Sequence, residues 1–136
     1  QLLSQQEVMQ ITYKVTSENY TGPISFLAML GGEDEPKNWY PLMNNIEQDK
    51  CWIWLQLPND NIQLCCAMNW QVLHNDIPIG KRPIKIEKHH IIGYSLTTQI
   101  KAGDTCTLKK NVAVLDSRNH SKDQLITNTL KCLTNW

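Results

Sequence analysis

The chain has 136 residues and a mass of 15.7 kDa, with thirteen basic and thirteen acidic side chains that leave no net charge. That length suits one domain with its own core and excludes a multidomain machine. Hydrophobic residues at 41%, charged residues at 19% and five Trp exclude intrinsic disorder, and no apolar run approaches the roughly 18 residues of a membrane-spanning helix.

The chain opens at Gln1 with no initiator Met and no basic, apolar leader, so the reading is a single β domain over residues 1–136, processed or excised from a longer polypeptide. Val8 to Thr16 reads as a strand with Ile11, Tyr13 and Val15 on one face. Ile24 to Leu30 follows as a second strand after the turn at Gly22-Pro23. Gly31 to Pro36 is an acidic loop. Cys51 to Leu57 and Ile62 to His74 flank Pro58 to Asn61, a turn of Pro, Asn and Asp, and so form a hairpin. In the second arm Ile62, Leu64, Cys66, Met68, Trp70 and Val72 alternate with Gln63, Cys65, Ala67, Asn69 and Gln71, a period of two that puts the first set in the core.

Ile84 to Lys88 and Ile91 to Ile100 are further strands. Lys101 to Asp104 is a tight turn, and Thr105 to Leu108 and Asn111 to Leu115 complete the sheet. Then the period changes. Ser121 to Gln124 has the form of a capping box, and Leu125, Ile126, Leu130, Leu133 and Trp136 fall within one broad helical stripe. The fold class is therefore mainly β: an antiparallel sandwich or barrel of about six to eight strands with a short C-terminal amphipathic helix. The stripe is a candidate interface that either lids the barrel or docks on a partner, with packing at home favoured.

Five Cys, at 51, 65, 66, 106 and 132, include no CxxC and no Cys/His pairing at zinc spacing, so reduced and mostly buried thiols are expected. Residues 1–60 hold eight acids against three Lys, and residues 61–136 hold five acids against ten Lys or Arg. Such halves suit head-to-tail association or one basic face for an anionic partner, unless strand interleaving cancels them. The sequons Asn19-Tyr20-Thr21 and Asn119-His120-Ser121 sit in loops and are no more than chance would supply.

Each chemical constellation meets a plainer reading. Asp116, Ser117, His120 and Ser121 have triad residue types but no constrained nucleophile turn, and loop polarity and capping explain them better. His89 and His90 on one strand point to opposite faces, and with His74 they form no chelating set. Glu33, Asp34 and Glu35 lack the alternating ligand positions of a calcium loop. Trp52 and Trp54 share one face, opposite Cys51, Ile53 and Leu55. They are a candidate platform for bases, sugars or a protein, with core or subunit contact favoured. Lys81, Arg82, Lys85 and Lys88 form the basic centre, a candidate anion-binding surface set against a solvated edge strand.

No residue set asks for a catalyst, a metal or a cofactor, and none is expected. The function read from the sequence is a non-enzymatic β domain for macromolecular assembly or recognition, with a protein partner or self-association expected. In its order of elements alone, several strands followed by a helix, the chain resembles the small OB-fold subunits of single-strand-binding complexes. That resemblance implies a nucleic-acid-binding or assembly subunit as the alternative. A small hydrolase-type enzyme is third.

Overall fold

The computed structural model describes residues 8–31, 40–47, 49–57, 61–88 and 91–133. Nine strands are seen among them: β1 (Val8–Thr16), β2 (Gly22–Gly31), β3 (Tyr40–Ile46), β4 (Lys50–Gln56), β5 (Gln63–His74), β6 (Ile77–Pro78), β7 (Ile84–Lys88), β8 (Ile91–Ile100) and β9 (Thr105–Asp116). A 3-10 turn at Lys122–Gln124 leads into one helix, α1 (Leu125–Lys131). The larger sheet runs β1-β9-β5-β4-β3, with β6 beside β5, and the smaller runs β2-β8-β7. Every pairing is antiparallel. The fold is thus a β-sandwich, not a closed barrel.

Strand alternation explains the layering. On β5, Met68, Trp70 and Val72 face the smaller sheet and meet Phe26, Ala28, Leu30, Ile92, Tyr94 and Leu96 in the main core. The opposite face of the same strand is also buried. There Cys65 and Ala67 join Trp52, Leu115 and Leu125 under α1, making a third layer. A strand covered on both sides carries apolar residues at nearly every position, which is why β4 and β5 are so rich in them.

The smaller sheet packs chiefly on β4 and β5. Of the β1 face predicted to be apolar, Val15 packs on the core while Ile11 and Tyr13 stay exposed, Tyr13 at 60%. β9 is one strand of twelve residues where the sequence suggested two. Lys110 interrupts its apolar period because its ammonium crosses the sandwich and donates to the Met29 carbonyl oxygen at 2.7 Å. Partial burial pulls its pKa below the usual lysine value. The sequence reading also passed over β3, whose Pro41, Asn44 and Asn45 suit an edge strand with an irregularity between Pro41 and Met43.

First-half strands β1, β2 and β4 pair with second-half strands β9, β8 and β5. Interleaving therefore mixes the acidic and basic halves of the sequence. The C-terminal segment is helical over fewer residues than the stripe suggested, and Ser121 makes no side-chain cap. Leu125 is fully buried against the sheet, with Ile126, Leu130 and Leu133 half-buried around it. No helix among the described residues is long and apolar enough to cross a membrane.

Candidate functional site: a notch in the larger sheet

β4 covers β5 only as far as the Lys50–Asn69 pair, and β6 takes up the same lane only at Leu73–Pro78. Between them no strand among the described residues lies beside residues 70–72 on that side, and the sheet has a notch. A two-residue turn creates it. Asn75 and Asp76 adopt φ of 50° and 67°, the left-handed pair that a tight hairpin needs and that Asn and Asp tolerate best. The chain doubles back as β6 and then crosses to the smaller sheet through residues 79–83.

Two hydrogen bonds hold that crossing segment in place. The Ile79 N–H donates to the Val72 carbonyl oxygen at 2.9 Å, and Lys81 Nζ donates to the Thr97 carbonyl oxygen at 2.7 Å. The space enclosed is about 160 Å³. Trp70, Ile79 and Leu96 supply apolar wall, and Asp49, Gln71 and Lys81 supply polar groups, with Val72, Pro78 and Pro83 completing the lining. The notch is open on one side, and its lining is as polar as it is apolar.

The wall is rigid. The Trp70 ring stacks on Tyr94, and the Tyr94 hydroxyl donates to the Glu47 carbonyl oxygen at 2.6 Å. Burial raises the Tyr94 pKa, and neighbouring Cys51 raises it further. Burial likewise pushes Cys51 up to about 12 and Cys65 and Cys66 up to about 11, so these thiols stay protonated and unreactive. Cys51, Cys65 and Cys106 are buried free thiols.

A second polar cluster closes the end of the sandwich below the notch. His74 Nε2 and Asp104 Oδ2 lie 2.9 Å apart, and Asn75 Nδ2 donates to Asp104 Oδ1 at 3.1 Å. The Lys101 N–H also donates to this carboxylate. Together the Asn75, His74 and Lys101 bonds hold the Asp104 carboxyl down to about 2. These contacts join the β5–β6 turn to the β8–β9 turn. The triad-like loop has a similar structural task. Asp116 is clasped by Arg118 through its backbone N–H, Nε and Nη2, which keeps its pKa low. Ser117 Oγ accepts the Gln63 N–H at 2.8 Å.

The sequence candidates fall in separate places. Trp52 and Trp54 form no exposed platform, because α1 covers them and Trp54 Nε1 donates to Gln63 Oε1 at 3.0 Å. The basic residues are spread over several elements. Lys81 and Arg82 lie in the crossing segment, Lys85 and Lys88 on the edge strand β7, and Lys109 and Lys110 in the other sheet. Glu33, Asp34, Glu35, His89, His90, Trp136 and the turn residues 58–60 lie outside the described residues. Among those described, no three His, Cys, Asp or Glu side chains group as metal ligands.

The notch itself was not anticipated. The sequence pattern places Trp70 in the core and Gln71 at the outward position beside it. The available signal was Asn75-Asp76 followed by Pro78 and Pro83, which announces a reversal and then a segment unable to continue the β4 lane.

Residues 2–135 match the family described as glycosyl hydrolase family 65, N-terminal domain. The chain belongs to that family. Among solved structures it resembles a human-microbiome chain described as a kojibiose phosphorylase, with a TM-score of 0.75 and 11% identity over 92% of its own length. It spans about one sixth, 16%, of that chain. None of the curated proteins matches. Membership of an enzyme family overturns the expectation of a non-enzymatic assembly or recognition module, and with it the expectation that the chain has no part in an enzyme. The OB-like alternative falls with them, since family and two-sheet architecture both differ from a five-stranded barrel. The error had a physical source: glycosidase chemistry resides in a few carboxylates, and a domain that carries a core and turns need not display them.

Proposed function

We propose that this sandwich is the N-terminal domain of a polypeptide that cleaves a glycosidic bond, passing the glycosyl group to water or to phosphate. The family match over residues 2–135 carries the reading. In such a cleavage the anomeric carbon exchanges its bond to the leaving sugar oxygen for a bond to the acceptor oxygen, and the leaving sugar takes a proton. A carboxylic acid with a raised pKa commonly delivers that proton, with a second carboxylate acting opposite it.

Asp104 and Asp116 do not suit the acid role, because their partners hold both pKa values below the usual carboxylate range. The reacting carboxylates are assigned to residues beyond this sandwich, in line with its covering 16% of the phosphorylase-like chain it resembles. The test is an assay of the polypeptide bearing this domain on glucose disaccharides, kojibiose among them, with and without inorganic phosphate. Phosphate-dependent formation of a sugar phosphate, or release of free sugar by water, supports the reading. Turnover of none of these glycosides refutes it.

A further inference from the structure

We propose that the notch beside Trp70 binds the ring of a neutral sugar. The choice of a sugar rests on the glycoside chemistry proposed above, while the site rests on the break between β4 and β6.

A sugar ring has apolar C–H faces and an equator of hydroxyls that both donate and accept. Its site therefore needs an apolar wall together with polar groups of both kinds. The notch offers Trp70, Ile79 and Leu96 as wall, with Asp49 as an acceptor and Lys81 as a donor at its rim, while Gln71, whose side chain leaves β5 on the opposite face from Trp70, borders it. With Asp49 and Lys81 together the notch carries no net positive charge to hold a phosphate or nucleotide, and a purely apolar ligand would leave both charged groups without a role. The volume of about 160 Å³ suits one small ring and no helix or folded segment.

Preorganisation favours the same conclusion. Trp70 is fixed by stacking on Tyr94 at a centroid distance of 5.2 Å, Lys81 by the Thr97 carbonyl and Ile79 by the Val72 carbonyl. These three residues have little freedom left to lose on binding, which matters for a small and heavily hydrated ligand. Because Trp70 is largely buried, it serves as a side wall and not as an open stacking platform.

Titration of the 136-residue chain with glucose, maltose and kojibiose, followed by amide and indole NMR signals, tests the assignment. Inorganic phosphate is the control ligand. Saturable shifts are expected at the Trp70 indole N–H, the Gln71 backbone amide and the backbone of Ile79 and Lys81. Asp49→Asn and Lys81→Ala, both at exposed positions, should each weaken binding at least about tenfold, the size of one charge-assisted hydrogen bond. Their remaining signals should not move, which shows the fold intact. The proposal is overturned by shifts that do not saturate, by shifts centred elsewhere, by variants that bind as well as the parent, or by phosphate reproducing the sugar's effect. Sugar binding here without glycoside turnover by the polypeptide would sink the proposed function and keep the site. Turnover without binding would do the reverse.

Discussion

Trp70 of β5 and Tyr94 of β8 stack across the sandwich, ring centroids 5.2 Å apart and planes 13° from parallel. The pair joins the two sheets beside the notch between β4 and β6. Tyr94 carries the link onward to the Glu47 carbonyl beside β4, so both margins of the notch refer to the same two rings.

Replacing Trp70 by Ala should cost about 3 to 5 kcal/mol, the range for removing a large aromatic side chain from a packed core. Trp70→Phe keeps a ring against Tyr94 and should cost clearly less. Urea midpoints measure both. A loss under about 1 kcal/mol for the Ala variant would contradict the packing.

Tyr94→Phe removes a single hydroxyl from a fully buried ring. The Glu47 carbonyl loses its 2.6 Å partner, yet Glu47 is exposed and water can take its place. The expected loss is therefore about 1 kcal/mol, that of an ordinary hydrogen bond. A denaturant midpoint unchanged from the parent would show that the bond contributes nothing.

What was legible in the sequence followed from period. The β4–β5 hairpin, the opposed faces of Trp52 and Ile53 and the burial of Trp70 all came from alternation, because a pleated strand sends neighbouring side chains to opposite sides. The signal failed where a residue served two ends. Lys110 interrupts the apolar period because a charged side chain reads as outward-facing, while in the fold it is half-buried and its amine reaches the Met29 carbonyl. The notch was illegible for another reason: it is made by the absence, among the described residues, of a strand beside residues 70–72, and an absence has no periodicity.

Acid should loosen the end of the sandwich at Asp104. Its carboxyl sits at about 2 in the fold against an ordinary 3.8, so folding favours the ionised form. That contribution is complete above the ordinary value and is lost as pH falls from 3.8 toward 2. Asp104→Asn should be less stable than the parent at neutral pH, with the gap narrowing through this window. Melting temperatures of the two proteins that fall in parallel between pH 5 and pH 2 would contradict the assignment.

The helix α1 has seven residues, far below the roughly 12 to 15 at which an isolated helix becomes even marginal in water. Its stability must come from the sheet beneath it, where Leu125 and Thr129 are both fully buried and Leu125 is the apolar contact, among Trp52, Cys65, Ala67 and Leu115. Leu125→Ala should therefore cost about 2 to 5 kcal/mol. Thr127, on the exposed side of the same helix, is the control. Thr127→Ala should be neutral or slightly stabilising, by at most about 0.7 kcal/mol, because Ala is the better helix former. Removing residues 121–136 would uncover the second apolar cluster and should unfold the chain or drive it to aggregate. If the truncated chain instead keeps the parent's melting temperature and oligomeric state, the helix contributes nothing to the sheet and the three-layer description fails.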